Sequence, residues 1–361
     1  MARGEPAFPG YDVFMIQSRG YAALQARAAL APFDFERRNP DAHDVLIEIL
    51  YCGICHSDIH QVNDDWHFST YPMVPGHEII GRVVRAGAAV TKFAAGDMAG
   101  VGCMVDSDRT CPACKAGDEQ FCQTGATFTY NSPDKRHGGL AQGGYSNNIV
   151  VDEAFALKIS PKLNPAAAAP LLCAGITTYS PLRRWDVGPG KKLGVIGLGG
   201  LGHMALKLGH SFGAHVTQFT TSLSKKEDAL RLGANEVVLS KDANAMQAQA
   251  GSFDVILDTV SAPHDINALI GLLKPRGAMA VVGMPGAPLP LDLSGLIMGE
   301  RLITGSLIGG IRKTQEMLDY CAAHGIVSDI EQIPIQKVNE AFARTVKSDV
   351  KYRFVIDLAS L

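Results

Sequence analysis

The chain has 361 residues, 47% hydrophobic and 19% charged, with a formal net charge of -3. A single core stops growing at roughly 250 to 300 residues, so two domains are expected, and the composition excludes extensive disorder. The weak negative charge gives no general attraction to nucleic acid or to an acidic membrane surface, which leaves a small molecule as the expected partner.

In chain order, Met1-Ala-Arg-Gly-Glu-Pro lacks the basic flank and apolar stretch of a secretory signal, and no apolar run is long enough to span a bilayer. A cytoplasmic location is expected. The eight cysteines are clustered, with a pair at Cys52 and Cys55 and a group at Cys111, Cys114 and Cys122. In a cytosolic chain such clusters read as metal ligands before disulfides. Cys52, Cys103 and Cys321 sit in apolar strand-like or helical surroundings and read as small buried hydrophobes.

The segment from Asp44 to Tyr51 and the stretch Gly81-Arg-Val-Val read as strands in an irregular β region. From about residue 174 strands and helices alternate. Lys192 to Gly197 is a strand, Leu201 to Phe212 a helix, Ala214 to Phe219 a strand and Lys225 to Leu232 a helix, with further buried strands at Asp254 to Asp258 and Ala278 to Gly283. This rhythm predicts an α/β unit, a doubly wound parallel sheet covered by helices. The last 50 or so residues break it, with a helix from Thr314 to Ala323 and a strand from Tyr352 to Asp357 that return to the first domain.

Gly197-Leu198-Gly199-Gly200-Leu201-Gly202 lies between an apolar strand and an apolar helix, the context a dinucleotide loop requires. Its glycines permit a tight turn and close backbone approach to a pyrophosphate at the helix N-terminus. Where the next strand ends, an acidic residue would bind the adenosine ribose hydroxyls; here the chain reads Thr220-Thr221-Ser222-Leu-Ser-Lys225-Lys226. Hydroxyls and lysines suit a 2′-phosphate, so NADP(H) is expected over NAD(H).

Cys55 and His77 offer sulfur and imidazole within a short region. Cys173, just ahead of the nucleotide-binding half, is the third candidate ligand. A catalytic zinc takes three protein ligands and keeps one position open, so these residues predict a metal in the cleft between domains. Taken singly, a buried cysteine is a small hydrophobe and a histidine a packed core residue.

The stretches Cys52-Gly-Ile-Cys-His-Ser-Asp, Tyr71-Pro-Met-Val-Pro-Gly-His-Glu, Gly100-Val-Gly-Cys, Pro170-Leu-Leu-Cys-Ala-Gly, the glycine loop, Gly305-Ser-Leu-Ile-Gly and Tyr352-Arg-Phe-Val run through nearly the whole chain. In these the chain resembles the zinc-containing medium-chain dehydrogenases, and within them the cinnamyl alcohol dehydrogenase branch and its bacterial aldehyde-reductase relatives. The resemblance implies a GroES-like catalytic domain, residues 1–173 and 311–361, and a Rossmann NADP-binding domain, residues 174–310. It implies Cys55, His77 and Cys173 as ligands of a catalytic zinc, Glu78 as a carboxylate that can approach the metal, and Asp58 as the group orienting His77. Ser57, His60 and Asp65 are implied as the proton relay. Thr177, Thr259, Gly283, Ser306, Leu307 and Ile308 are implied as further cofactor contacts. A homodimer through the nucleotide domain is also implied, with Leu302 to Ile311 as an apolar candidate edge.

Cys111, Cys114 and Cys122 look like most of a structural zinc lobe, but the family spacing calls for a fourth cysteine where this chain has Asp108. An aspartate oxygen can ligate zinc, so a site of three thiolates and Asp108 is expected. The resulting reading is a zinc-dependent NADP(H) oxidoreductase of primary alcohols and aldehydes that are aromatic, unsaturated or aliphatic, with Trp66 and Tyr71 as candidate pocket walls. The alternatives are a polyol or secondary-alcohol dehydrogenase of the same superfamily, a zinc-free quinone reductase, and a non-catalytic nucleotide-binding protein.

Overall fold

The computed structural model describes residues 15–361; the reading of Met1 to Pro6 as free of a leader lies outside them. Among the described residues no helix is long and apolar enough to cross a membrane. The strands in chain order are β1 (Ile16–Ala22), β2 (Ala31–Arg37), β3 (Asp44–Gly53), β4 (Ile79–Ala86), β5 (Met98–Val101), β6 (Met104–Asp106), β7 (Thr127–Phe128), β8 (Asn148–Asp152) and β9 (Leu157–Lys158). They continue as β10 (Lys192–Ile196), β11 (His215–Thr220), β12 (Glu236–Leu239), β13 (Phe253–Asp258), β14 (Leu273–Val281) and β15 (Leu302–Gly305), then β16 (Ile330–Pro334) and β17 (Arg353–Asp357).

One seven-stranded sheet runs β16-β17-β3-β4-β5-β9, with β8 also paired to β3. β17 thus pairs with β3, Val355 opposite Gly53, and β16 joins the sheet through β17, as the break in alternation predicts. On β3 the alternation of buried Val45, Ile47 and Ile49 with exposed Glu48 shows one face packed on a core. The second sheet is six-stranded and parallel, ordered β12-β11-β10-β13-β14-β15. That is the doubly wound order, whose ligand crevice opens at the carboxyl ends of β10 and β13 where the winding direction reverses. Leu193, Val195, Val255, Ile256 and Leu257 are all buried there, as strands covered on both faces require.

Several boundaries differ from expectation. The helix read as Thr314 to Ala323 spans Ile311–His324, because its first turn is capped by a side chain from elsewhere in the chain and its last by Gly325 at φ +65°. The strand read from Ala278 starts at Leu273. β15 is an edge strand. Cys103 lies between β5 and β6, partly exposed, whereas Cys52 and Cys321 are buried as expected. A continuous apolar core joins the two sheets, packing Ile80, Leu157 and Leu172 with Leu193, Met204 and Met317.

Candidate metal and cofactor site

The strand register explains how distant residues meet. Cys52 pairs with Ile79, Ile79 with Val101, and Gly53 with Val355, so the segments running beyond these pairs emerge at one edge of the sheet. Those segments carry Cys55, His77, Glu78, Cys103 and Arg353. The turn into β4 needs Gly76, which sits at φ +105° with Tyr145 and the Cys52 sulfur where a Cβ would project. Cys173 arrives from the 3-10 turn Ala169–Leu172 and is the N-cap of the helix Ala174–Arg184. The ligand atoms of Cys55, His77, Glu78 and Cys173 lie within 4.8 Å of one another, all buried, with the Cys55 and Cys173 sulfurs 3.9 Å apart.

Asp58 organises this cluster from the first turn of the helix His56–Asn63. Its Oδ2 accepts from the Cys55 N–H (2.9 Å) and the Tyr145 hydroxyl (3.0 Å), while its Oδ1 accepts from the Gly76 N–H (3.2 Å) and His77 Nδ1 (3.1 Å). With Nδ1 so engaged, Nε2 is the imidazole nitrogen left for a metal. Both carboxylate oxygens of Glu78 are buried without a hydrogen-bond partner. Burial pushes the Glu78 carboxyl up to about 8, against the pull of Arg353, whose Nη2 is 3.5 Å away. The Cys55 thiol is held well below its usual range by its hydrogen bond with Cys173 and by Arg353 and His77. An orphaned buried carboxylate beside a thiolate and an imidazole is a donor set that fits a divalent cation, and zinc in particular.

Ser57 Oγ lies 3.7 Å from the Cys55 sulfur, beside the cluster. His60, partly exposed, holds Asp65 through Nδ1 at 2.8 Å and packs at a tilt of 35° against Trp66, ring centroids 5.3 Å apart. The Tyr71 hydroxyl donates to the carbonyls of Gln61 and Val62 (3.2 and 2.9 Å). Those carbonyls belong to the last turn of the helix and need donors.

The glycine loop follows β10 as expected. Gly197 sits at φ +87°, and a Cβ on Gly202 would meet the Gly197 carbonyl at 2.1 Å. The helix Gly200–Ser211 begins on Gly199 with no side-chain cap, which leaves its first N–H groups for an anion. Thr259 Oγ1 donates to the Ile196 carbonyl (2.7 Å), and Gly283 packs against the Val260 backbone, so both brace the loop's surroundings. Lys225 Nζ reaches back to the Leu198 carbonyl (3.1 Å), while Thr220 and Ser222 bond within their own turn and Thr221 is exposed. Thr177 is buried one turn beyond Cys173. Ser306 N–H donates to the Val281 carbonyl (3.1 Å), Leu307 is half exposed and Ile308 adopts φ +36°.

Two residues escape the sequence reading. Arg353, quoted only as part of a motif, is buried, donates to the Ile54 carbonyl (2.9 Å) and abuts Gly200, so it lies between the metal cluster and the glycine loop. His203 is fully buried, with Nδ1 3.2 Å from the Gly199 carbonyl and Nε2 2.9 Å from Ser328 Oγ, and stacks on Tyr352. A histidine on the inner face of an apolar helix was its only signal. Cys103, read as plain packing, donates its thiol to the carbonyl of Leu172, the residue before Cys173 (3.8 Å).

The second cluster also assembles, with ligand atoms of Asp108, Cys111, Cys114 and Cys122 within 4.8 Å of one another. Asp108 Oδ1 accepts from the Thr110 and Cys111 N–H groups (2.9 Å each), which holds its carboxyl well below the usual range. The N–H groups of Asp108 and Gln123 point at the sulfurs of Cys122 (3.4 Å) and Cys111 (3.5 Å), an arrangement that stabilises thiolates.

Residues 41–161 match the alcohol dehydrogenase GroES-like domain, and residues 200–323 match the zinc-binding dehydrogenase domain. The chain is 54% identical over 345 residues to the aldehyde reductase YahK of Escherichia coli, covering 95% of this chain and 99% of that protein. It is similar in structure to a cinnamyl alcohol dehydrogenase of Sorghum bicolor, with a TM-score of 0.93, 46% identity and coverage of 95% and 98% of the two chains. The CAD of Helicobacter pylori, solved in complex with NADP(H), superposes with a TM-score of 0.91 at 40% identity over 96% of this chain and 99% of that one. With both domains matched and the relatives aligned over nearly their full lengths, the chain belongs to the zinc-binding, GroES-like alcohol dehydrogenase family.

Proposed function

We propose that the protein transfers hydride between NADP(H) and primary alcohols or aldehydes, with aromatic, unsaturated and aliphatic aldehydes as the substrate class. The observation that carries this reading is the convergence of Cys55, His77, Glu78 and Cys173 in one buried cluster, joined to the glycine loop by Arg353. The reductase and dehydrogenase names of its relatives support it. Zinc at the cluster supplies Lewis acidity toward the substrate oxygen, and the nicotinamide supplies or accepts the hydride.

Cys55, His77 and Cys173 would hold the metal, with the Glu78 carboxylate beside them as a further donor, and Asp58 keeps His77 oriented. Ser57 holds the substrate's proton at Oγ and passes it toward His60, whose ring Asp65 holds in place through Nδ1. The glycine loop takes the pyrophosphate, while Thr221, Ser222 and Lys225 take the 2′-phosphate. Thr177, Thr259, Gly283 and Ser306–Ile308 flank the rest of the cofactor. Asp108, Cys111, Cys114 and Cys122 hold a structural zinc. The division between domains falls at 173/174 and 310/311. Exposed Leu302 on edge strand β15, with exposed Ile297 and Met298 nearby in sequence, supports a homodimer through this edge. The free cysteines support a cytoplasmic setting.

Steady-state kinetics with an aldehyde and alcohol panel including mannitol, run with NADPH, NADP+ and their NAD counterparts, test this reading. A higher kcat/KM for aldehydes with NADPH than with NADH is expected, together with loss of turnover on chelation. Activity that survives complete zinc removal would point to the quinone-reductase alternative, and a preference for mannitol to the polyol one.

A further inference from the structure

The short link from β15 to the helix Ile311–His324 carries Ser306–Ile308, and it is held under strain. Ile308 is β-branched yet sits at φ +36°, a conformation that persists only where its surroundings impose it. The residues that follow this link are bracketed to the lobe that carries Cys111, Cys114 and Cys122. The helix starts on Gly310, which has no capping side chain. Glu119, 192 residues away in the chain, accepts the Ile311 N–H through Oε2 at 3.0 Å and places a carboxylate at the positive end of the helix. In return, Arg312 Nη2 donates to the Ala116 carbonyl (2.8 Å), at the C-terminal end of the short lobe helix Pro112–Ala116. The approach is close. A Cβ on Gly310 would meet the Gly117 carbonyl at 1.9 Å, and one on Gly309 would meet Ser180 Oγ at 2.6 Å. The link therefore cannot shift without breaking the bracket.

We propose that Glu119 is a positioning residue for the cofactor: by capping the helix Ile311–His324 from the lobe, it holds Ser306–Ile308 in the strained form that contacts NADP(H). The inference rests on the reading of Ser306–Ile308 as cofactor contacts. It ties the integrity of the lobe to cofactor affinity rather than to the chemistry at Cys55, His77 and Cys173.

The test compares Glu119→Ala, Glu119→Gln and Ile308→Gly in the full-length protein, by fluorescence titration with NADPH, steady-state kinetics and metal content per chain. Glu119→Ala raises the Kd and KM for NADPH by roughly 3- to 10-fold, the scale expected for loss of a helix cap, with kcat within about two-fold and metal content unchanged. Glu119→Gln, whose amide oxygen can still accept the Ile311 N–H, recovers most of the affinity. If Ile308→Gly weakens NADPH binding while Glu119→Ala does not, the positioning role is wrong and the contact reading stands. If neither variant alters Kd, the contact reading fails and the proposal with it. Loss of metal in parallel with affinity in Glu119→Ala would show that Glu119 only supports the lobe. Should the alanine variant not accumulate, Arg312→Ala removes the other half of the bracket and carries the same expectation.

Discussion

Asp58 offers the sharpest test of how the metal cluster is organised. Its carboxylate is fully buried and accepts from Cys55 N–H, Gly76 N–H, His77 Nδ1 and the Tyr145 hydroxyl, two donors on each oxygen. Asparagine has the same shape but presents an NH2 in place of one oxygen. Placed toward Tyr145, the NH2 can use the phenol as acceptor but leaves the Cys55 N–H facing a donor. Placed toward His77, it leaves the Gly76 N–H unpaired and forces the imidazole into the tautomer that cannot offer Nε2 as a ligand. Either way at least one buried N–H loses its partner, a cost of about 1 to 3 kcal/mol. Asp58→Ala abandons all four donors, His77 Nδ1–H among them, and should cost roughly 3 to 5 kcal/mol. Zinc affinity should fall by about 10- to 100-fold in both variants, because the partner that orients His77 is lost or compromised. Competition against a chelator of known affinity, with urea unfolding of the same preparations, measures both quantities. Zinc affinity within two-fold of the wild type in both variants, or an Asp58→Asn protein as destabilised as Asp58→Ala, would refute this role for Asp58.

Three further expectations follow from the geometry. Burial lowers the His203 imidazole to about 3 from its ordinary 6.5, so the unfolded chain binds this proton more readily. Stability from the neutral ring is complete above about pH 6.5 and is lost as pH falls toward 3, about 2 kcal/mol of it by pH 5. His203→Gln should therefore show a smaller drop in urea midpoint between pH 8 and pH 5, and equal drops would contradict the assignment. Lys225→Ala should raise the KM for NADPH by about 10-fold or more while barely changing that for NADH, since it removes a cation from the turn after β11 that is proposed to take the 2′-phosphate, a group NADH lacks. Parallel changes with both cofactors would show that Lys225 serves the loop and not the 2′-phosphate. Asp108→Ala should reduce bound zinc from two ions per chain to one with aldehyde turnover retained in freshly prepared protein; two zincs in that variant would remove Asp108 from the ligand set.

Contiguous motifs made much of this protein readable from the chain alone. The glycine loop, the strands around it and the neighbourhoods of Cys55 and His77 are written in runs of a few residues, because turn geometry, helix entry and apolar periodicity are local properties. The hydroxyl and lysine run after β11 is equally local, and so is the substitution of Asp108 for a thiolate. Tertiary structure decided what depends on register and packing. It brings the Cys173 sulfur to 3.9 Å from that of Cys55 across 118 residues, and puts Asp58 under four donors from separate segments. It sets Arg353 between the metal cluster and the glycine loop, and uses Glu119 to cap a helix that begins 192 residues later. None of these pairings has a sequence period to betray it. A buried arginine, a buried histidine and a distant cap are chosen by the polar groups that would otherwise lack partners, and those groups meet only once the strands have paired.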